Sequence, residues 1–202
     1  THLSPITRFI YPEADDKILK YLDDDGFPVE PIYYAPIIPM LLVNGSKGIG
    51  TGFSTDIPSY QPEYIIKYLK NKLTNQPAYD FDCLPYYEGF QGTITSHEPK
   101  KYLIKGKWEI LSGDRVLITE LPIGSWTDDY KQYLETLIAD KKKPWIKDFE
   151  DNSTERIVNI TIKFAKNILP NLSVNETGDA ISPLEKYLKL ATTKTTTNMH
   201  AF

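Results

Sequence analysis

Four glycines fall within eight residues in Asn44-Gly45-Ser46-Lys47-Gly48-Ile49-Gly50-Thr51-Gly52. No helix runs through such a stretch without a large conformational cost, and its backbone can approach a ligand or enter the left-handed region. Prolines crowd the residues on either side, at Pro36, Pro39 and Pro58. Residues 27–58 therefore read as extended and irregular, with the glycine stretch as a loop inside them.

Three uses of that loop compete. A nucleotide cradle requires Gly-Lys-Ser/Thr after four intervening residues, or G-x-G-x-x-G between a strand and a helix. The order here, N-G-x-x-G-x-G-x-G, fits neither. A plain structural turn is the second use. The third is nucleic acid: glycine N–H groups with Ser46, Thr51 and Ser54 hydroxyls can bind phosphates. An exposed Ile49 would then act as a wedge between base steps. The residues alone leave the turn and the wedge open.

The net charge of −4 speaks against a nucleic-acid partner if averaged over the chain. The charge is patchy, however. Acidic groups gather at Glu13, Asp15, Asp16 and Asp23-Asp24-Asp25; lysines gather at 100, 101, 105 and 107, at 141–143, and at 186, 189 and 194. These patches permit a phosphate track. Three adjacent aspartates do not point at one centre, so no metal site is expected there. His2, His97 and His200 lack ligand spacing, and no catalytic nucleophile stands out. Cys83 is the lone cysteine, compatible with an intracellular, reducing compartment. No apolar run approaches the roughly 20 residues needed to span a bilayer, so no membrane partner is expected.

Periodicity predicts an α+β fold. Residues 1–11 read as a helix end stopped by Pro12, and residues 15–22 as a short helix closed by Asp25-Gly26. Ile65, Leu69 and Leu73 predict a helix over 62–73, followed by a connector bounded by Pro77 and Pro85. A short strand is expected at 91–96. Alternation predicts one strand over 101–111, a turn at Ser112-Gly113-Asp114, and a returning strand over 115–121. Thr127 reads as the cap of a helix carrying Tyr130, Tyr133, Leu134, Leu137 and Ile138. Residues 156–164 alternate again. Residues 167–182 read as a polar loop, 183–188 as a short helix, and Lys189–Asn198 as a threonine-rich stretch. The chain starts at Thr1 and meets apolar residues at once, so it is expected to be the interior of a longer protein.

The glycine stretch resembles the N-G-x-x-G-I-G-T-G-x-S motif of eukaryotic-type type II DNA topoisomerases, and Pro36-Ile37-Ile38-Pro39-Met40 is similar to the segment before it. Phe90-Gln91-Gly92-Thr93-Ile94, Glu120-Leu121-Pro122 to Trp126-Thr127, Lys143-Pro144-Trp145-Ile146-Lys147-Asp148, and Lys189-Leu190 to Asn198-Met199 resemble further family segments in the same order. The resemblance implies the end of a winged-helix domain over 1–42, a tower domain with an antiparallel sheet and flanking helices over 43–188, and the start of a coiled-coil, DNA-contacting segment over 189–202.

The resemblance also implies function. Ile49 falls on the intercalating isoleucine. Asn44, Gly45, Lys47, Gly48, Gly50 and Thr51 fall on the DNA-binding loop, and Lys189, Thr192, Thr193, Lys194, Thr195 and Asn198 on a second DNA-contacting stretch. The catalytic tyrosine and its neighbouring arginine are expected just upstream, so no catalytic or metal-binding residue is expected in this chain. The fragment is expected to bind no cofactor; ATP and Mg2+ would serve the whole enzyme. Expected partners are double-stranded DNA and, in the full-length enzyme, a second copy. A protein-interaction or scaffold module with a structural glycine turn is the alternative. Three departures mark the chain: Lys47 where cellular members usually carry an acidic residue, Phe53 for their tryptophan, and Gly124-Ser125 for a basic residue and threonine. They look more like a viral member, which would place the protein in the host cytoplasm, the nucleus, or both.

Overall fold

The computed structural model describes residues 2–74, 83–173 and 179–201. Pro77 of the expected connector and residues 174–178 of the expected polar loop lie outside them. The chain divides into two compact units: Thr1–Tyr86 with Asn198–Phe202, and Tyr87–Thr197. Helices and antiparallel sheets mix throughout, so the α+β expectation holds.

The first unit opens with a single helical turn, α1 (Thr7–Ile10), and a 3-10 turn over Glu13–Lys17. The helix expected over 15–22 stops there. Tyr21–Asp24 is instead strand β1, paired with β2 (Phe27–Pro31). Asp25 (φ 51°) and Gly26 (φ 87°) both turn left-handed, the geometry that joins two twisted strands by two residues. The Gly26 N–H donates to Asp23 Oδ1 at 2.9 Å, so the aspartate cluster serves a turn. After the short helix α2 (Met40–Asn44) comes a hairpin of β3 (Ser46–Gly50) and β4 (Phe53–Ile57). Helix α3 (Pro62–Leu73) follows with Pro62 in its first turn, as predicted. Its Ile65 packs with Tyr60 and Cys83 in a small core that includes Leu69 and Met199. The lone cysteine is thus a buried packing residue.

The second unit is built on two sheets. Strands β7 (Lys107–Ser112), β8 (Arg115–Glu120), β9 (Ile146–Asp151) and β10 (Ile160–Phe164) form one in the order β7-β8-β10-β9. Strands β5 (Thr93–Glu98), β6 (Lys101–Lys105) and β11 (Ala191–Thr195) form the other, with β6 central. The single strand expected over 101–111 is split at Gly106 between the two sheets. A side chain there would collide with the Glu120 carbonyl, because its Cβ would lie 2.3 Å from that oxygen. The expected β7–β8 hairpin is present.

Alternation in β8 and β10 aims Val116, Ile118, Ile160, Ile162 and Phe164 into one core. Helix α4 (Thr127–Ala139) closes it with Tyr130 and Leu134. Thr127 is the first helical residue and not the cap; that position belongs to Trp126, and no side chain caps it. Helix α5 (Leu169–Ser173) replaces the start of the expected polar loop, because Leu169 is drawn into the core. Helix α6 (Pro183–Tyr187) begins with a capping box between Ser182 and Glu185. Glu185 also holds Lys105 of β6 at 2.9 Å, which ties α6 to the β5-β6-β11 sheet. The Tyr130 and Tyr133 hydroxyls donate to the Leu188 and Tyr187 carbonyls at 2.8 and 2.6 Å. Burial raises both phenol pKa values, so they remain neutral donors.

Candidate nucleic-acid interface

The glycine-rich stretch is a β-hairpin and not an irregular loop. Gly45 starts it: at φ 67°, with the Ile57 oxygen 2.7 Å from where a Cβ would stand, the position accepts glycine alone without strain. The strands then pair from Ser46↔Ile57 to Gly50↔Phe53, and Thr51–Gly52 forms the turn. Gly52 is left-handed at φ 80°.

Directly opposed residues of an antiparallel pair share a face. Lys47 and Ile49 therefore lie with Ser54 and Asp56 on one face of the hairpin. Ile49, flanked by Gly48 and Gly50, is 87% exposed near the tip. A large apolar group held in water on a narrow finger has nothing to pack on within its own hairpin. Lys47 is exposed one turn of alternation below it, and Thr51 is exposed at the turn itself.

The base of the finger is held from the far end of the chain. Residues 198–200 run along β4. The Asp56 N–H donates to the Asn198 carbonyl (2.8 Å) and Asn198 Nδ2 donates to Ser54 Oγ (2.9 Å). The Thr55 hydroxyl donates to the His200 carbonyl at 2.8 Å and accepts from the His200 N–H at 3.1 Å. Asn44 is tied in as well, its carbonyl accepting from Ser59 Oγ at 3.0 Å. Sequence separation of about 145 residues left no local signal for this strap.

The predicted DNA-binding residues therefore divide. Asn44, Gly45, Lys47, Gly48, Ile49, Gly50 and Thr51 come together in the first unit, and Asn198 joins them through Ser54. Lys189, Thr192, Thr193, Lys194 and Thr195 belong to the second unit. Lys189 is left-handed (φ 51°) with its ammonium 4.0 Å above the Tyr133 ring. The four others lie on β11, which pairs with β6 along one edge, and Thr193 and Thr195 are exposed. Among the described residues no group of three or more His, Cys, Asp or Glu is arranged to hold a metal ion. The Mg2+ that the resemblance implies has no fitting ligand set there. Among the same residues, no helix is long and apolar enough to cross a membrane.

A family model for the A-type subunit of DNA gyrase/topoisomerase IV matches residues 1–202. The chain belongs to this family. It is 42% identical over 206 residues to DNA topoisomerase 2 of Pisum sativum and 43% identical over 202 residues to that of Plasmodium falciparum (isolate K1 / Thailand). Both alignments cover 100% of this chain and 14% of the relative, so the chain spans about a seventh of their length. A crystal structure of the Plasmodium falciparum topoisomerase II DNA-binding, cleavage and re-ligation domain superposes with a TM-score of 0.84. It is 43% identical, and the match covers 96% of this chain and 25% of that one. The fold is therefore shared with the matched quarter of that chain, and the chain is of the eukaryotic type within the family.

Proposed function

We propose that this chain is the part of an ATP-dependent type II DNA topoisomerase that binds and bends the duplex to be cut. The observation that carries the reading is Ile49, an exposed aliphatic side chain near the tip of a glycine-rich hairpin whose base is anchored by hydrogen bonds. An apolar wedge of this kind enters a base step from the minor groove. Unstacking costs a few kcal/mol per step, offset by the extra protein surface that bent DNA can reach. Lys47 on the same face supplies charge for phosphate, and the exposed threonines of β11 supply hydroxyl donors. Such contacts carry little sequence information, so binding is nearly sequence-tolerant.

In the whole enzyme one duplex is cut, another passed through it, and the break resealed. Two copies related by the dimer axis each contribute an Ile49. The tyrosine that cuts and the groups that hold ATP and Mg2+ belong to other parts of the enzyme; the residues here bind, orient and bend. The departures at Lys47, Phe53 and Gly124-Ser125 support a viral member, with African swine fever virus as the source and the host cytoplasm or nucleus as its place of action. The gene's flanking sequence tests that attribution.

Function is tested in the whole enzyme. Ile49→Gly leaves the protein folded and slows DNA relaxation; wild-type relaxation would remove the wedge. Lys47→Glu weakens duplex binding and lowers the salt slope by about one. An unchanged slope would mean that Lys47 meets no phosphate, and salt-independent binding throughout would favour a protein-interaction module.

A further inference from the structure

The hairpin has a second face, built differently from the one that carries Ile49. Ser46, Gly48 and Gly50 share it with Phe53, Thr55 and Ile57. At the base this face is closed by the buried Ile57. Toward the tip it carries no side chain on β3. A Cβ at Gly48 would meet nothing nearer than the Thr55 methyl at 3.9 Å, and one at Gly50 nothing nearer than the Phe53 carbonyl at 3.8 Å. Neither glycine lies in the left-handed region. The fold therefore has room for a side chain at both positions. Glycine inside a strand weakens the strand, and its recurrent use is to let another backbone approach closely.

Phe53 stands at the end of this bare track. Its cross-strand neighbour is Gly50, which offers no side chain to pack on, and the ring is 80% exposed. Two large apolar groups thus project into solvent from opposite faces of one finger. A wedge that used only Ile49 would need no aromatic ring on the other side. Strand β3 pairs only with β4 among the described residues, so alternate amides on its outer edge are open to phosphate oxygens.

We propose that the hairpin grips duplex DNA on both faces: Ile49 enters the base step, while the sugar–phosphate backbone lies along the Gly48–Gly50 track with the Phe53 ring packed against a deoxyribose. This inference rests on the DNA-bending reading above and assigns Phe53 a role as a DNA-contacting residue. An aromatic ring covers the apolar C–H face of a sugar without regard to base identity. It also stops the finger from rocking about its own axis once Ile49 is inserted.

The test uses the whole enzyme with an end-labelled duplex, reading affinity against salt concentration and end-to-end distance by energy transfer. Phe53→Ala is expected to weaken binding about tenfold, the scale of exposing one large apolar side chain. The salt slope should not change, because no charge is lost. The bent fraction should fall, and Phe53→Trp should keep both properties. Gly48→Ala should lower the bent fraction while leaving the melting temperature unchanged or raised. If Phe53→Ala binds and bends as wild type while Ile49→Ala fails to bend, the two-faced grip is overturned and the wedge reading stands. If neither variant changes bending, both readings fall. Loss of binding in Phe53→Ala that Phe53→Trp shares would also overturn the sugar contact.

Discussion

The two units of the chain hold their shape by different means. In the second, Val116, Ile118, Ile160, Ile162 and Phe164 meet Leu134, Leu184, Leu188 and Leu190, all of them fully buried. In the first, the buried cluster is Tyr60, Ile65 and Cys83, while Leu3, Ile6, Phe9, Phe27 and Ile37 lie open among many others. Exposed large apolar residues described in the second unit are Ile110, Leu111, Trp126 and Ile157. The β3–β4 hairpin carries the contrast furthest. Its outer half buries no side chain, and its geometry comes from ladder hydrogen bonds, Gly45, and the strap at 198–200. Substitutions in the buried core of the second unit should therefore act on stability, and substitutions at the hairpin tip on DNA.

Phe164→Ala should break the second unit most severely. The side chain is fully buried, and such truncations cost about 3–5 kcal/mol. Urea unfolding that shifts by less than about 1 kcal/mol would show that this core is not what holds the unit. Glu185→Ala comes next, at about 2–3 kcal/mol, because it strips Lys105 of its partner and removes the carboxylate half of the α6 capping box, which accepts from the Ser182 N–H. Burial alone would raise the Glu185 carboxyl pKa, but the Lys105 ammonium and the Ser182 N–H outweigh burial and lower it below 4.5. The wild-type contribution is therefore present in full above pH 4.5 and is lost as pH falls through the folded value. A wild-type-minus-variant stability difference that stays constant from neutral to acid pH would contradict this. Asn198→Ala removes one side-chain hydrogen bond and keeps the carbonyl that accepts from Asp56, so about 1 kcal/mol is expected. Hydrogen exchange should report it as faster opening at Ser54 to Asp56 with the second unit unchanged.

Legibility in the sequence did not follow that divide but depended on local period in both units. Helix α3, the stripe of α4, the β7–β8 hairpin and the alternation of β10 could be read because local period and burial agree. Residues 15–22 mislead because Ile18, Leu19 and Leu22 have helical spacing. Asp25-Gly26 is nonetheless a strong two-residue hairpin signal, and it wins by pairing Tyr21–Asp24 with Phe27–Pro31. Ser46–Gly50 gave no strand signal, since glycine has poor strand propensity; pairing with Phe53–Ile57 makes it one. Strand β11 lacks apolar alternation and is defined by its partner β6. Gly106 hides a change of sheet inside an unbroken two-residue period. Ile49 and Lys47 were legible as candidates, whereas the strap through Asn198 and the exposure of Phe53 depend on contacts that sequence spacing does not show.

The smallest expected effect on stability belongs to Ile49, which is why it is the most direct probe. Ile49→Ala in the whole enzyme should change unfolding by no more than about 0.5 kcal/mol, because the side chain touches little of its own fold and no further glycine is added to the strand. The decisive measurement is the end-to-end distance of a labelled duplex bound to that variant, by energy transfer. A longer distance than with wild type is expected at saturating protein, meaning that DNA is bound but straighter. An unchanged distance would contradict the claim that this hairpin bends DNA.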